Sequence, residues 1–255
     1  MRIGNRDFDL NGKTYIMGIL NVTPDSFSDG GSYKTMKDVL NRVEVMIDEG
    51  ADVIDVGGES TRPGYTKLSD EEETKRVVPV IREIKKHFDV PLSVDTYKYA
   101  VAKAALDAGA DLLNDIWGFK YDPRMATLAG EYGCVCCLMH NRDKAEYDSF
   151  MEECLDDLKS CVDIAKSAGV RDEQIILDPG IGFGKTLEHN LIALKQLGQF
   201  NRLGYPVLLG TSRKSVIGRT LDLPLDERVE GTIATSVLAV MNDMAFIRVH
   251  DIRCV

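Results

Sequence analysis

Short aliphatic runs alternate with longer segments of helical apolar spacing along this whole chain, and that alternation narrows the possible folds more than any single motif. The runs at 15–22, 52–57, 92–96, 112–117, 134–140, 175–178, 207–211 and 246–250 read as eight strands. Between them, 36–49, 70–87, 97–108, 123–132, 150–168, 187–200 and 227–244 read as helices. Several close on a glycine (Gly50, Gly109, Gly133, Gly169), where a left-handed C-cap belongs. A weak internal echo, Asp48-Glu-Gly-Ala-Asp-Val-Ile-Asp against Asp107-Ala-Gly-Ala-Asp-Leu-Leu-Asn, repeats a helix end, a turn and the next strand. Strand–helix alternation implies a parallel sheet with right-handed crossovers. Eight strands without a break in composition favour closure into a (β/α)8 TIM barrel, and 255 residues suit one such domain spanning 1–255. Two features lie outside the repeat. Residues 1–13 carry an Asn11-Gly12 turn and read as a short N-terminal hairpin at the barrel base. The chain ends four residues after Asp251, so the final C-terminal helix of a complete barrel is expected to be missing, with truncation or a covering neighbour subunit as the alternatives.

In a barrel of this kind the active site lies on the loops that follow the strands. Here the strand ends are polar: Asn21, Glu59, Asp95, Asn114, His140, Asp178, Lys214 just past the seventh strand, and Arg248 with His250. Any one of these reads as a helix cap or turn residue. Polar groups at nearly the same depth on every strand read as a site. Arg248 and His250 are two apart, share a face of their strand and suggest an anion. The loops at 23–32 and 59–67 are longer than barrel connections usually are, and Phe27 and Arg62 are odd residues for solvent loops. They read either as surface loops or as lids that close over substrate. The stretch 179–186, Pro-Gly-Ile-Gly-Phe-Gly-Lys-Thr, nearly matches a P-loop. Pro179 stands at its first glycine, with φ locked and no N–H to offer a phosphate. No later strand ending in Asp supplies the metal ligand, although the turn still has backbone N–H groups for another ligand.

A net charge of −10 argues against a nucleic-acid partner but permits a small anion held by a local cluster of cations. No apolar run approaches the ~20 residues of a membrane helix. Residues 1–13 are polar with no signal-like core, so a cytoplasmic location is expected. Of the six cysteines, Cys134, Cys136 and Cys137 lie in a strand-like run, and Cys154 and Cys161 fall on one helix face. Without a C-x-x-C or a histidine at ligand spacing they read as buried free thiols rather than a metal site.

The motifs resemble, in order, those of the dihydropteroate synthases. Met17-Gly-Ile-Leu-Asn-Val-Thr-Pro-Asp-Ser-Phe-Ser-Asp-Gly-Gly31 and Asp55-Val-Gly-Gly-Glu-Ser-Thr-Arg-Pro-Gly64 are similar to that family's two long signatures. Ser93-Val-Asp-Thr96, Asn114-Asp-Ile116, Met139-His140, Asp178-Pro-Gly-Ile-Gly-Phe183, Gly210-Thr-Ser-Arg-Lys-Ser215 and Arg248-Val-His-Asp251 continue the match over residues 14–251. The resemblance implies a transferase of folate biosynthesis that condenses 6-hydroxymethyl-7,8-dihydropterin diphosphate with p-aminobenzoate. Carried over residue by residue, it places Asp95, Asn114, Asp178 and Lys214 on the pterin, with Met139, Phe183 and Gly210 lining its slot. Asn21 is implied as the ligand of Mg2+ beside the diphosphate, and Arg62, Arg248 and His250 as diphosphate contacts. Thr61, Pro63, Phe27 and Ser215 are implied at the p-aminobenzoate site. Asp95, Lys214, Arg248 and His250 are the implied catalytic residues, with Asp95 stabilising cationic charge at the methylene carbon. A homodimer and inhibition by sulfonamides are also implied, the absent last helix bearing on the dimer more than on the chemistry. Rival readings are a pterin-dependent methyltransferase, which has no use for the Thr61-Arg62-Pro63 loop, a pterin binder without turnover, and a P-loop nucleotide binder.

Overall fold

The computed structural model describes residues 1–22, 35–59 and 67–255. Two short strands, β1 (Arg2–Ile3) and β2 (Arg6–Asp7), pair antiparallel at the start. The hairpin turn falls at Gly4-Asn5, where Gly4 has φ +58°, and not at Asn11-Gly12, which leads into the first barrel strand. Eight parallel strands follow: β3 (Tyr15–Asn21), β4 (Val53–Gly57), β5 (Leu92–Asp95), β6 (Leu112–Asp115), β7 (Val135–Met139), β8 (Ile175–Asp178), β9 (Leu208–Leu209) and β10 (Phe246–Val249). They pair in the order β8-β7-β6-β5-β4-β3-β10-β9. A parallel bridge between Leu177 and Val207, with Leu177 N–H donating to Pro206 O at 2.9 Å, brings β8 against β9 and closes the ring.

The helices are α1 (Met36–Asp48), α2 (Asp70–His87), α3 (Tyr99–Asp107), α4 (Arg124–Tyr132), α5 (Phe150–Ser167), α6 (Leu187–Lys195), α7 (Ser215–Leu221) and α8 (Val229–Met241). Local chemistry sets their ends. Thr35 and Asp38 form a reciprocal capping box on α1, and Ser69 caps α2 ahead of four acidic residues in its first turn. The glycines expected at helix ends, Gly50, Gly109, Gly133 and Gly169, all have positive φ. The helix expected over 187–200 stops at Lys195, and a 3₁₀ segment, Leu197–Leu203, continues to Gly204. Helix α7 escaped the sequence reading because it is only seven residues long and carries Gly218 in its middle. That glycine lets the Arg228 guanidinium pack against the helix, where a Cβ would collide with it. After β10 comes a 3₁₀ turn, Ile252–Cys254, whose buried Ile252 packs on β3 beside Gly18.

Side chains alternate along each strand, so one set faces the helices and the other fills the barrel. The lower inward layer is apolar: Met17, Val53, Leu112, Val135, Ile176, Leu208 and Phe246 pack with Ile3 and Phe8 of the N-terminal segment, which plugs the base. Two residues further along β4, β6, β8 and β10, the same inward positions become polar.

Candidate active site

That change of polarity is the site. On the inward parity, Val53 is followed by Asp55, Leu112 by Asn114, Ile176 by Asp178 and Phe246 by Arg248; all four polar side chains except the half-buried Arg248 are buried. Register places Asp95 opposite Asn114 and Met139 opposite Asp178, so these groups meet near one level. Arg248 ties them together. Its Nε donates to Asp55 Oδ2 and its Nη2 to Asp95 Oδ2, both at 2.6 Å. Asn114 Nδ2 donates to the same Asp55 oxygen at 3.2 Å. The other oxygens, Asp55 Oδ1 and Asp95 Oδ1, and the Ser93 hydroxyl are buried with no hydrogen-bond partner among the described residues. Buried acceptors without donors are costly, so a ligand that brings N–H groups to the two carboxylate oxygens would be stabilised there.

Across the barrel, Asp178 Oδ1 accepts the Gly180 N–H at 2.7 Å. Lys214 Nζ donates to Ile181 O at 2.6 Å and lies 4.9 Å from the centre of the Phe183 ring. A Cβ on Gly210 would stand 3.7 Å from both Asp178 Oδ2 and Lys214 Nζ, so this glycine lies beside both the carboxylate and the ammonium. Buried Tyr97, Ile116 and Met139, with Trp117 and Phe183 packed against them, form an apolar wall. The pocket is therefore a slot with apolar walls and charged edges.

Burial dominates its electrostatics. It pushes Asp95 up to about 7 against the attraction of Arg248, and raises Asp178 despite Lys214. It pulls Lys214 down to about 8 although Asp178 and Asp95 oppose the shift. Burial alone would lower Arg248, but Asp55 and Asp95 hold it above its ordinary value. Three carboxylates (Asp55, Asp95, Asp178) thus face two cations (Arg248, Lys214), and the slot favours a ligand that brings N–H donors.

Toward the rim, His250 Nδ1 lies 2.9 Å from Ser212 Oγ, and Arg213 pairs with Asp251. Ser215 is exposed at the first position of α7. Asn21 is exposed at the end of β3, and Gly57 separates it from Asp95: a Cβ there would lie 3.6 Å from Asn21 Oδ1 and 3.7 Å from Asp95 Cβ. Among the described residues no three His, Cys, Asp or Glu side chains could cage a metal. One neutral amide oxygen suits magnesium, which retains waters and takes phosphate oxygens as its remaining ligands.

The structure brings together Asp95, Asn114, Asp178, Lys214 and Arg248 from the polar strand ends, and Met139, Phe183 and Gly210, which the family resemblance implied. Phe27, Thr61, Arg62 and Pro63 lie outside the described residues. Two polar strand ends turn away from the slot. Glu59 accepts from Lys98 Nζ at 2.6 Å and from Tyr97 OH at 2.9 Å, while His140 is buried against Lys185 and Asp157. Sequence reasoning missed Asp55. Its signal was parity, since it lies two residues before Gly57 on the inward face of β4.

Comparison with known proteins follows the same residues. Positions 17–250 match the family model described as "Pterin binding enzyme". A dihydropteroate synthase of Clostridium beijerinckii is 60% identical over 253 residues, covering 99% of this chain and 94% of that protein. A dihydropteroate synthase of Clostridium difficile, solved in the presence of pteroic acid, superposes with a TM-score of 0.91 at 48% identity, covering 99% of this chain and 94% of that one. The Yersinia pestis dihydropteroate synthase, solved with a sulfonamide drug, gives a TM-score of 0.93 at 40% identity, covering 100% of this chain and 94% of that one.

Proposed function

The chain belongs to the dihydropteroate synthase family of pterin-binding enzymes, and from that membership we propose how its slot condenses 6-hydroxymethyl-7,8-dihydropterin diphosphate with p-aminobenzoate. The products are 7,8-dihydropteroate and diphosphate. The observation that carries the reading is the apolar slot edged by Asp55, Asp95 and Asp178, two of which hold a buried oxygen without a donor among the described residues.

A pterin edge presents amino and ring N–H donors beside a carbonyl and ring-nitrogen acceptors. Asp178 accepts from the donors; its bond from Gly180 uses one lone pair of Oδ1 and leaves the others free. Lys214 donates to the carbonyl or ring nitrogen, and Asn114 supplies a donor and an acceptor from one amide. Met139 and Phe183 hold the ring faces, and Gly210 leaves room for the edge.

When the C–O bond to diphosphate breaks, positive charge develops on the methylene carbon and negative charge on the leaving group. Asp95, as carboxylate, stabilises the first, and its Oδ1 has no hydrogen-bond partner among the described residues. Arg248 holds Asp95 and Asp55 in place and, with His250 at the rim, would offer positive charge and donors to the developing anion. Magnesium, held by Asn21 together with diphosphate oxygens, would supply electrostatic stabilisation of the leaving group. The amine of p-aminobenzoate is neutral at pH 7 and attacks the carbon directly, then loses a proton to solvent. Arg62, Thr61, Pro63, Phe27 and Ser215 complete the diphosphate and p-aminobenzoate contacts in this proposal.

Sulfonamides, as p-aminobenzoate analogues, compete for the same place, as the drug-bound Yersinia pestis relative suggests. A homodimer belongs to the same proposal. On α8 the apolar side chains Val237, Leu238 and Met241 are exposed at helical spacing, a stripe that a second copy would cover. Among the described residues no helix is long and apolar enough to cross a membrane. The six free thiols fit the reducing cytoplasm. The test is product formation. The purified protein with both substrates and magnesium should yield 7,8-dihydropteroate, with sulfonamide inhibition relieved by added p-aminobenzoate. Binding of pterin with no product would overturn the reading.

A further inference from the structure

Behind the slot stands a second set of charged side chains that the chemistry above does not use. Lys185, from the stretch that nearly matches a P-loop, turns its ammonium inward onto its own turn. Its Nζ lies 2.9 Å from Gly180 O, 3.1 Å from Phe183 O and 2.6 Å from His140 Nδ1. On the far side of the ring, His140 Nε2 is 3.0 Å from Asp157 Oδ2 on α5, and that same oxygen accepts from Arg142 Nε at 2.6 Å.

Hydrogen-bond roles and burial together set the state of this relay. The two carbonyls can only accept, so they take two of the Lys185 hydrogens. Burial pushes Asp157 up, but its bonds from His140 and Arg142 outweigh that and hold it below the usual carboxylate range. As a carboxylate it can only accept, so His140 donates from Nε2. The neutral ring then offers Nδ1 as an acceptor for the third Lys185 hydrogen. A protonated lysine beside the Nε2–H tautomer satisfies all four contacts; moving one proton to the ring would satisfy them too, and burial of the imidazole favours the ammonium. Burial lowers His140 to about 4, in agreement with a neutral ring. Burial also lowers Lys185, to about 7, with Asp178 and Cys154 opposing the shift and Lys214 and Lys120 adding to it.

The turn that Lys185 grips is the one the pterin would touch. Gly180 has φ +67° and sits so close to β7 that a Cβ would collide with the His140 carbonyl oxygen. Its carbonyls divide between two lysines: Gly180 O and Phe183 O point back to Lys185, while Ile181 O points forward to Lys214. The Phe183 ring and the Lys214 ammonium therefore rest on backbone held from behind.

We propose that Lys185, locked by His140 and Asp157, is a positioning residue for the pterin slot, setting the 180–183 turn that places Phe183 and Lys214. The proposal rests on the pterin reading above. It also assigns the near P-loop motif a role: the lysine binds its own turn and no phosphate.

The test compares the full chain with Lys185→Met, His140→Asn and His140→Gln, by steady-state kinetics in both substrates and by thermal denaturation. Lys185→Met is expected to raise the pterin diphosphate KM or lower kcat by ~10- to 100-fold, as a displacement of ~1 Å costs, with the p-aminobenzoate KM little changed. Asn keeps an acceptor where Nδ1 stands and should stay near wild type; Gln keeps only the donor to Asp157 and should resemble Lys185→Met. A Lys185→Met protein with a lower Tm but unchanged kcat and both KM values would overturn the proposal. So would equal losses in His140→Asn and His140→Gln, a comparison that decides the matter even if Lys185→Met does not fold. A wild type without turnover would count against the reaction instead, and the same variants would then be ranked by pterin Kd from calorimetry.

Discussion

Replacing Asp178 with asparagine tests the pterin edge with little change of volume. Asp178 is 4% exposed, and its Oδ1 accepts the Gly180 N–H at 2.7 Å. An asparagine would keep that bond through its carbonyl oxygen and turn its NH2 toward the slot, where the pterin also presents donors. Removing one partner of a buried charge-assisted contact costs ~2–5 kcal/mol. At ~1.4 kcal/mol per tenfold, pterin affinity should fall between ~30-fold and a few thousandfold. The fold should persist, because the raised pKa of Asp178 shows that burial disfavours its charged form and the amide escapes that penalty. Lys214 would lose an attractive partner and titrate still lower than about 8. Calorimetric titration with the pterin diphosphate, beside thermal denaturation, separates binding from folding. A variant that denatures like wild type and binds pterin within about threefold of it would refute the assignment.

Three further outcomes follow from the same structure. The pH profile of kcat/KM should be bell-shaped: activity rises as Asp95 ionises through about 7 and falls as Lys214 loses its proton above about 8. Asp95→Asn should abolish the acid limb along with most activity, and an acid limb unchanged in that variant would remove Asp95 from the assignment. Lys98→Met should destabilise the fold by ~3–5 kcal/mol in denaturant unfolding, because it leaves two carboxylates buried without their cation. Lys98 Nζ lies 2.6 Å from both Glu59 and Glu73, whose side chains are 3% and 1% exposed. A loss below ~1 kcal/mol would contradict that account. Met241→Glu, at a side chain 74% exposed on α8, should shift the sedimenting species toward monomer while the isolated chain stays folded; an unchanged mass would place the contact elsewhere.

Much of this was legible in the sequence because period and parity are local signals. The strand–helix alternation marked all eight barrel strands within a few residues, and the positive-φ glycines marked the helix ends. Helix α7 was not legible, since seven residues hold under two apolar periods and Gly218 breaks them for the sake of Arg228. The hairpin was expected at Asn11-Gly12, a strong turn dipeptide, yet the chain turns at Gly4-Asn5 because Ile3 and Phe8 plug the barrel base. Of the polar strand ends, Asp95, Asn114, Asp178 and Arg248 meet in one slot. The strand-end rule had no means to see that His140 and Glu59 point elsewhere, since their partners Lys185 and Lys98 lie 45 and 39 residues away in sequence. Asp55 was hidden inside a motif quoted for its loop, although its inward parity could be counted from Gly57.

The most direct test of the central claim is diphosphate release from 6-hydroxymethyl-7,8-dihydropterin diphosphate with magnesium, followed with and without p-aminobenzoate. The slot described here is expected to release diphosphate in step with dihydropteroate formation, and to do so only when p-aminobenzoate is present to capture the carbon. Release at the same rate without p-aminobenzoate, or none under either condition, would contradict it.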